Sequence, residues 1–81
     1  MPNTLRSARH EALVALLVEK RKRAGLTQAE VAAKLGRYQQ FIATVESGQR
    51  RIDVVELLEL AEAIGFDPRD AIKRLASIRA R

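Results

Sequence analysis

Two adjacent amides, Gln39 and Gln40, carry the most directed chemistry in the chain. A glutamine side chain presents a donor and an acceptor side by side, which matches adenine N6 and N7 in the DNA major groove. Both fall in the first turn of a helix predicted over about Gln39 to Ser47. The free N–H groups of such a turn attract phosphate. On this helix Ile42 and Val45 share an inner stripe, leaving Gln39, Gln40, Ala43 and Thr44 for solvent or a ligand. Arg50 and Arg51 follow Gly48 and read either as a solvated loop or as phosphate contacts.

Catalytic chemistry finds no support. No nucleophile–base pair, metal-ligand set or glycine-rich phosphate loop can be assembled. Cysteine is absent and histidine occurs once, at His10, read as a surface residue without a role. The carboxylates are spread along helix surfaces. The expectation is a protein that is not an enzyme, with no cofactor and no metal.

The elements that must position the amides follow from apolar spacing and punctuation. Gly25, Gly36, Gly48 and Gly65 each suit the position just past a helix end. The first helix spans about Leu5 to Arg23, with Leu13, Leu16, Leu17 and Lys20 on one face. The second, about Gln28 to Leu35, opens on a Thr27–Glu30 capping box. The fourth, about Val54 to Ile64, opens on an Asp53–Glu56 box and carries Leu57, Leu58, Leu60, Ala61 and Ile64. Its Glu56, Glu59 and Glu62 read as a solvated face. The fifth opens with Asp67-Pro68 and continues to about Ala80. The second and third helices, joined by a tight glycine turn, form a helix-turn-helix candidate.

Composition agrees. At 81 residues the chain is one domain, 1–81, and 47% apolar content is enough for one small core. Aromatics at 4% argue against a base-stacking sheet, and few Gly and Pro argue against a turn-rich β fold. The class is all-α. The net charge of +5 is uneven: residues 1–51 hold ten basic and four acidic groups, whereas residues 52–81 hold five and six. A basic footprint beside the amides suits a polyanion. The run Lys20-Arg21-Lys22-Arg23 resembles a short localisation signal but better suits the negative pole of the first helix. The longest apolar run, Ala12 to Val18, is too short to span a bilayer, and no targeting segment is visible. The expected location is cytoplasmic and nucleoid-associated, with no membrane partner.

Residues Gly25 to Gly48, GLTQAEVAAKLGRYQQFIATVESG, and the following RRIDVVELLELAEAIGFDP resemble the Xre/lambda-repressor-like helix-turn-helix family over about residues 13–68. The resemblance implies a compact five-helix domain and a sequence-specific double-stranded DNA-binding transcriptional regulator. It implies base contacts by Gln39, Gln40 and Thr44, with Phe41 beside them at a thymine methyl. Gln28 would contact phosphate and brace Gln39. Ser47, Gln49, Arg50 and Arg51 match a phosphate-contacting loop, Thr27, Arg37 and Tyr38 are further phosphate-contact candidates, and Arg21 with Glu46 matches a structural ion pair. Tyr38 departs from the family pattern of Ser, Thr or Pro and is a poor cap, so either the start of the third helix shifts or Tyr38 itself contacts the DNA backbone.

A homodimer on a palindromic operator is expected, because one module of this size buries too little surface for tight specific binding. Ile72, Leu75 and Ile78 are dimerisation candidates or pack back on the first helix; the sequence leaves both open. No separate effector domain is expected within these 81 residues, and regulation is expected through occupancy, expression level or a second protein. The alternatives are an antitoxin that also binds a toxin, or a restriction–modification controller protein.

Overall fold

The computed structural model describes residues 7–79 as five helices: α1 (Ala8–Arg23), α2 (Gln28–Leu35), α3 (Gln39–Glu46), α4 (Val54–Ile64) and α5 (Pro68–Ala76). Local chemistry sets most of their ends. Thr27 Oγ1 accepts from Glu30 N at 3.0 Å while Glu30 Oε1 accepts from Thr27 N at 2.8 Å, closing the start of α2. Asp53 and Glu56 repeat the device on α4. Asp67 caps α5, with Pro68 at the first helical position.

Three boundaries differ from the sequence reading. α1 starts at Ala8, because Ser7 Oγ accepts from His10 N at 3.1 Å and caps the helix there. Leu5, where that helix was expected to begin, lies outside the described residues. α3 stops at Glu46, one residue early, with Ser47 as its C-cap. α5 stops at Ala76 rather than near Ala80, which is also outside the described residues. Ser77 turns its hydroxyl back to the Arg74 carbonyl at 2.7 Å, and Arg9 Nε from α1 donates to the carbonyls of Leu75 and Ile78 at 3.1 and 3.0 Å. Those bonds occupy acceptors at the end of α5 as it lies on α1.

One core joins the helices. Leu13, Leu16 and Leu17 of α1 meet Val31 and Ala32 of α2, Ile42 and Val45 of α3, Leu57, Leu60 and Ile64 of α4, and Ala71 of α5. Burial of these side chains contributes roughly 1.5–3 kcal/mol for each large one. α3 is held from behind by α1 and α2, through Ile42 and Val45. Its remaining faces are therefore not spent on the core.

Leu58 is apolar but lies outside the core. It stands 45% exposed, beside exposed Val54 and Val55. The opposite face of α4, through Leu57, Leu60, Ala61 and Ile64, already fills the space against the core.

Candidate nucleic-acid interface

The turn between α2 and α3 aims the amides. Gly36 has φ +68°, the left-handed region where a Cβ is costly. The N–H groups of Gly36 and Arg37 return to the carbonyls of Ala33 and Ala32 at 3.1 and 2.9 Å, ending α2 sharply. α3 then starts at Gln39 as its apolar spacing requires. Tyr38 is its N-cap residue but makes no side-chain cap bond and is 88% exposed. The departure at Tyr38 therefore leaves the start of α3 at Gln39 and without a side-chain cap, while the Phe41 N–H donates to the Tyr38 carbonyl at 3.0 Å.

Gln39 and Gln40 are both exposed, and Thr44 is half-buried on the same side. Gln40 Nε2 donates to Thr44 Oγ1 at 3.3 Å, and that hydroxyl donates to the Gln40 carbonyl at 2.8 Å. Gln39 Nε2 donates to Gln28 Oε1 at 3.4 Å. Gln28 Nε2 donates in turn to Glu46 Oε1 at 3.0 Å. Both ends of the Gln28 side chain are thus engaged within the protein.

The chain of bonds ends on a largely buried ion pair. Arg21 Nε and Nη2 reach the two carboxylate oxygens of Glu46 at 2.6 and 2.9 Å, a bidentate fork. Arg21 Nη1 adds a bond to the Leu26 carbonyl at 2.9 Å. The side chains are only 12% and 10% exposed. Burial alone pushes the Glu46 carboxyl up, but the hydrogen bonds from Arg21 and Gln28, with the charges of Arg21 and Lys22, hold it below the usual carboxylate range. The hydrogen bond to Glu46 raises Arg21 above its already high value. The pair fixes α1 to α3, and through Gln28 it sets where Gln39 can point.

Phe41 is half-buried against the core, with the guanidinium of Arg37 at 4.2 Å from its ring centroid and that of Arg50 at 5.1 Å. The ring anchors α3 and holds one arginine from each side of it. A shallow hollow beside it is lined by Gly36, Arg37, Tyr38, Gln40 and Phe41. Arg51, Gln49 and Ser47 are exposed in the segment after α3. Ser47 already donates to the Thr44 carbonyl at 2.8 Å, so its hydroxyl faces an anion only after that bond opens.

Two residues act differently from the sequence reading. Glu56 is not part of a solvated face: it is buried, its Oε1 accepts from Asp53 N at 3.2 Å, and its Oε2 pairs with Arg50 Nη2. One carboxylate both caps α4 and clamps Arg50. The capping box already showed that this carboxylate turns back on the chain, which was the available signal. Arg50 is accordingly half-buried, and an anion would have to share it with Glu56. His10 is not a surface residue either. It is buried, and its Nε2 lies 3.3 Å from the carbonyl of Gly48, whose φ is +80°. It braces the turn that carries Gln49 to Arg51.

The dimerisation candidates on α5 divide. Leu75 packs on the core, Ile78 is half-buried beyond the helix end, and Ile72 alone is exposed. Among the described residues, no helix is long and apolar enough to cross a membrane. No group of three potential metal ligands gathers among them.

A family model described as a helix-turn-helix domain matches residues 4–75. The fold is also that of an XRE-family like protein from Pseudomonas syringae pv. tomato DC3000, with TM-score 0.82, 44% identity, and coverage of 86% of this chain and 85% of that one. The chain belongs to the XRE helix-turn-helix family. The chain is also similar to three further proteins. The clp gene regulator ClgR from C. glutamicum is 25% identical with TM-score 0.75, covering 84% of this chain and 88% of its own. The restriction-modification controller protein C.AhdI from Aeromonas hydrophila is 33% identical with TM-score 0.72, over 79% of this chain and 93% of its own. The uncharacterized HTH-type transcriptional regulator y4dJ of Sinorhizobium fredii NGR234 is 47% identical over 45 residues, 56% of this chain. That match spans 58% of the y4dJ protein's length.

Proposed function

We propose that the protein reads a two-fold-symmetric duplex operator as a homodimer, one α3 in each of two successive major grooves. As an XRE helix-turn-helix protein it is a DNA-binding transcription regulator. In the proposal Gln39, Gln40 and Thr44 face base edges, and the open edge of Phe41 meets a thymine methyl. Thr27, Gln28, Arg37, Tyr38, Ser47, Gln49, Arg50 and Arg51 line the two flanking phosphate paths. The observation that carries the reading is the exposed amide face of α3, tied through Gln39 and Gln28 to the buried Arg21–Glu46 pair. A side chain held from behind gives up less freedom on meeting a base edge. A cytoplasmic, nucleoid-associated location goes with this function.

The test uses a duplex enriched from a random library by the protein itself. Gln40→Ala and Gln39→Ala should each weaken binding by about 1–3 kcal/mol and relax preference at one base position. Unchanged affinity and unchanged preference in both variants would refute base reading by α3. Arg51→Ala should behave otherwise, weakening all sequences alike and lowering the salt slope by about one. A titration of affinity against salt concentration checks it.

The controller-protein reading is a variant of the same function. It is favoured by the likeness to C.AhdI, which spans 93% of that chain. Binding of the protein to the DNA just upstream of its own gene, next to restriction and methyltransferase genes, would establish it.

A further inference from the structure

We infer that Glu56 sets the DNA affinity of the segment after α3, by competing with a backbone phosphate for the guanidinium of Arg50. The inference rests on the duplex reading proposed above and concerns its phosphate contacts alone. Arg50 and Arg51 follow one another in that segment, and they are not equivalent. Arg51 is exposed, whereas Arg50 is half-buried and pairs through Nη2 with Glu56 Oε2. An exposed cation meets a phosphate at full charge. A paired one meets it with its charge already offset, and the carboxylate must be displaced or must share.

The geometry of the pair sets it apart from a structural clamp. Arg21 is such a clamp: its Nε and Nη2 take both oxygens of Glu46, and its Nη1 takes the Leu26 carbonyl. Glu56 offers Arg50 a single oxygen, because its Oε1 is spent on Asp53 N at the start of α4. A guanidinium carries several N–H donors, so a single acceptor leaves it unsaturated. Arg50 Nε is buried and has no hydrogen-bond partner among the described residues. The Arg50 side chain as a whole is nevertheless 41% exposed, against 12% for Arg21. A cation held by one oxygen and open to solvent keeps capacity for a second acceptor, and phosphate accepts in a charge-assisted bond.

The surroundings turn that capacity toward the duplex. The Arg50 guanidinium lies 5.1 Å from the centroid of the Phe41 ring, and Phe41 follows Gln40 on α3. The cation therefore stands beside the helix proposed to enter the groove. Glu56 cannot follow it outward, because it is buried and its place in the capping box fixes it to the start of α4. The carboxylate stays behind as a fixed counter-charge with or without DNA. What Arg50 contributes to binding is then the difference between two acceptors, not the full value of one.

Glu56→Gln separates the two uses of the side chain. Glutamine also serves in a capping box, so its amide oxygen keeps the bond from Asp53 N, while its amide nitrogen is a donor and cannot hold Arg50. Affinity is measured against salt concentration on a library-enriched duplex and on one of unrelated sequence. Glu56→Gln should bind both about threefold or more tighter at low salt, with a salt slope steeper by about one for each bound copy. Glu62→Gln removes the same charge from an exposed position nearer the other end of α4, and should gain clearly less.

Arg50→Ala gives the second arm. With Glu56 in place it should weaken binding less than Arg51→Ala does; combined with Glu56→Gln it should weaken binding as much as Arg51→Ala. A pair that served folding alone would shift thermal unfolding and leave this coupling at zero. Equal losses by Arg50→Ala in both backgrounds, or a gain by Glu56→Gln no larger than that of Glu62→Gln, overturns the inference. If Glu56→Gln does not fold, the wild-type background decides, and a loss by Arg50→Ala as large as that by Arg51→Ala overturns it. Salt slopes are read on any duplex, so a failure of base reading by α3 leaves this result standing, whereas absence of all duplex binding overturns both.

Discussion

Glu46→Ala should lower the free energy of unfolding by about 3–5 kcal/mol. The variant leaves the largely buried Arg21 guanidinium with only the Leu26 carbonyl as partner. It also removes the acceptor of Gln28 Nε2. An uncompensated buried charge costs more than the pair contributes. Small domains have about 5–15 kcal/mol in all, so the variant stands near the threshold of folding. Urea unfolding measures the loss directly. Replacing both partners together, Arg21→Met with Glu46→Leu, should cost clearly less than the sum of the single changes. Acid gives an independent check. Glu46 is held below the usual carboxylate range in the fold, so its stabilisation is fully present above the unfolded value of about 4.3. It is lost as pH falls through the lower folded value. Below pH ~4, wild-type stability should therefore fall more steeply than that of the Arg21→Met/Glu46→Leu protein.

Ile42→Ala should lower stability by about 2–5 kcal/mol without changing base preference. Ile42 is 2% exposed and sits on the inner face of α3, among side chains of the same core. Truncation removes three carbons from a packed site and leaves a cavity that neighbours fill only in part. The amides on the outer face keep their chemistry in every molecule that remains folded. Thermal unfolding should show the loss, while the sequence preference of the folded fraction should match wild type. Gln39→Ala is the converse case: exposed and read against DNA, it should leave stability within about 0.5 kcal/mol. Together the two variants separate what holds α3 from what α3 presents.

The helices themselves were legible in the sequence because their ends are chemical. Thr27–Glu30, Asp53–Glu56 and Asp67-Pro68 each satisfy N–H groups locally, so the starts of α2, α4 and α5 need no tertiary information. The end of α5 was not legible, because Ile78 continues the apolar spacing while Arg9, far away in sequence, takes the carbonyls there. His10 was missed for a similar reason. Its partner is a backbone carbonyl 38 residues away, which leaves no trace in residue types. Glu56 was half legible: its capping role lies in the spacing, but its second oxygen is used by Arg50 across a loop. Leu58 was legible as apolar but not as exposed, because periodicity records that a side chain is apolar, not which of two faces the core has room for.

Selection of bound duplexes from a random library, run in parallel with the wild-type protein and Gln40→Ala, tests the central claim most directly. The account predicts a palindromic wild-type motif with half-site centres about 34–36 Å apart, and loss of preference at one base pair of each half-site in the variant. No enriched motif, or an identical motif from both proteins, would contradict it.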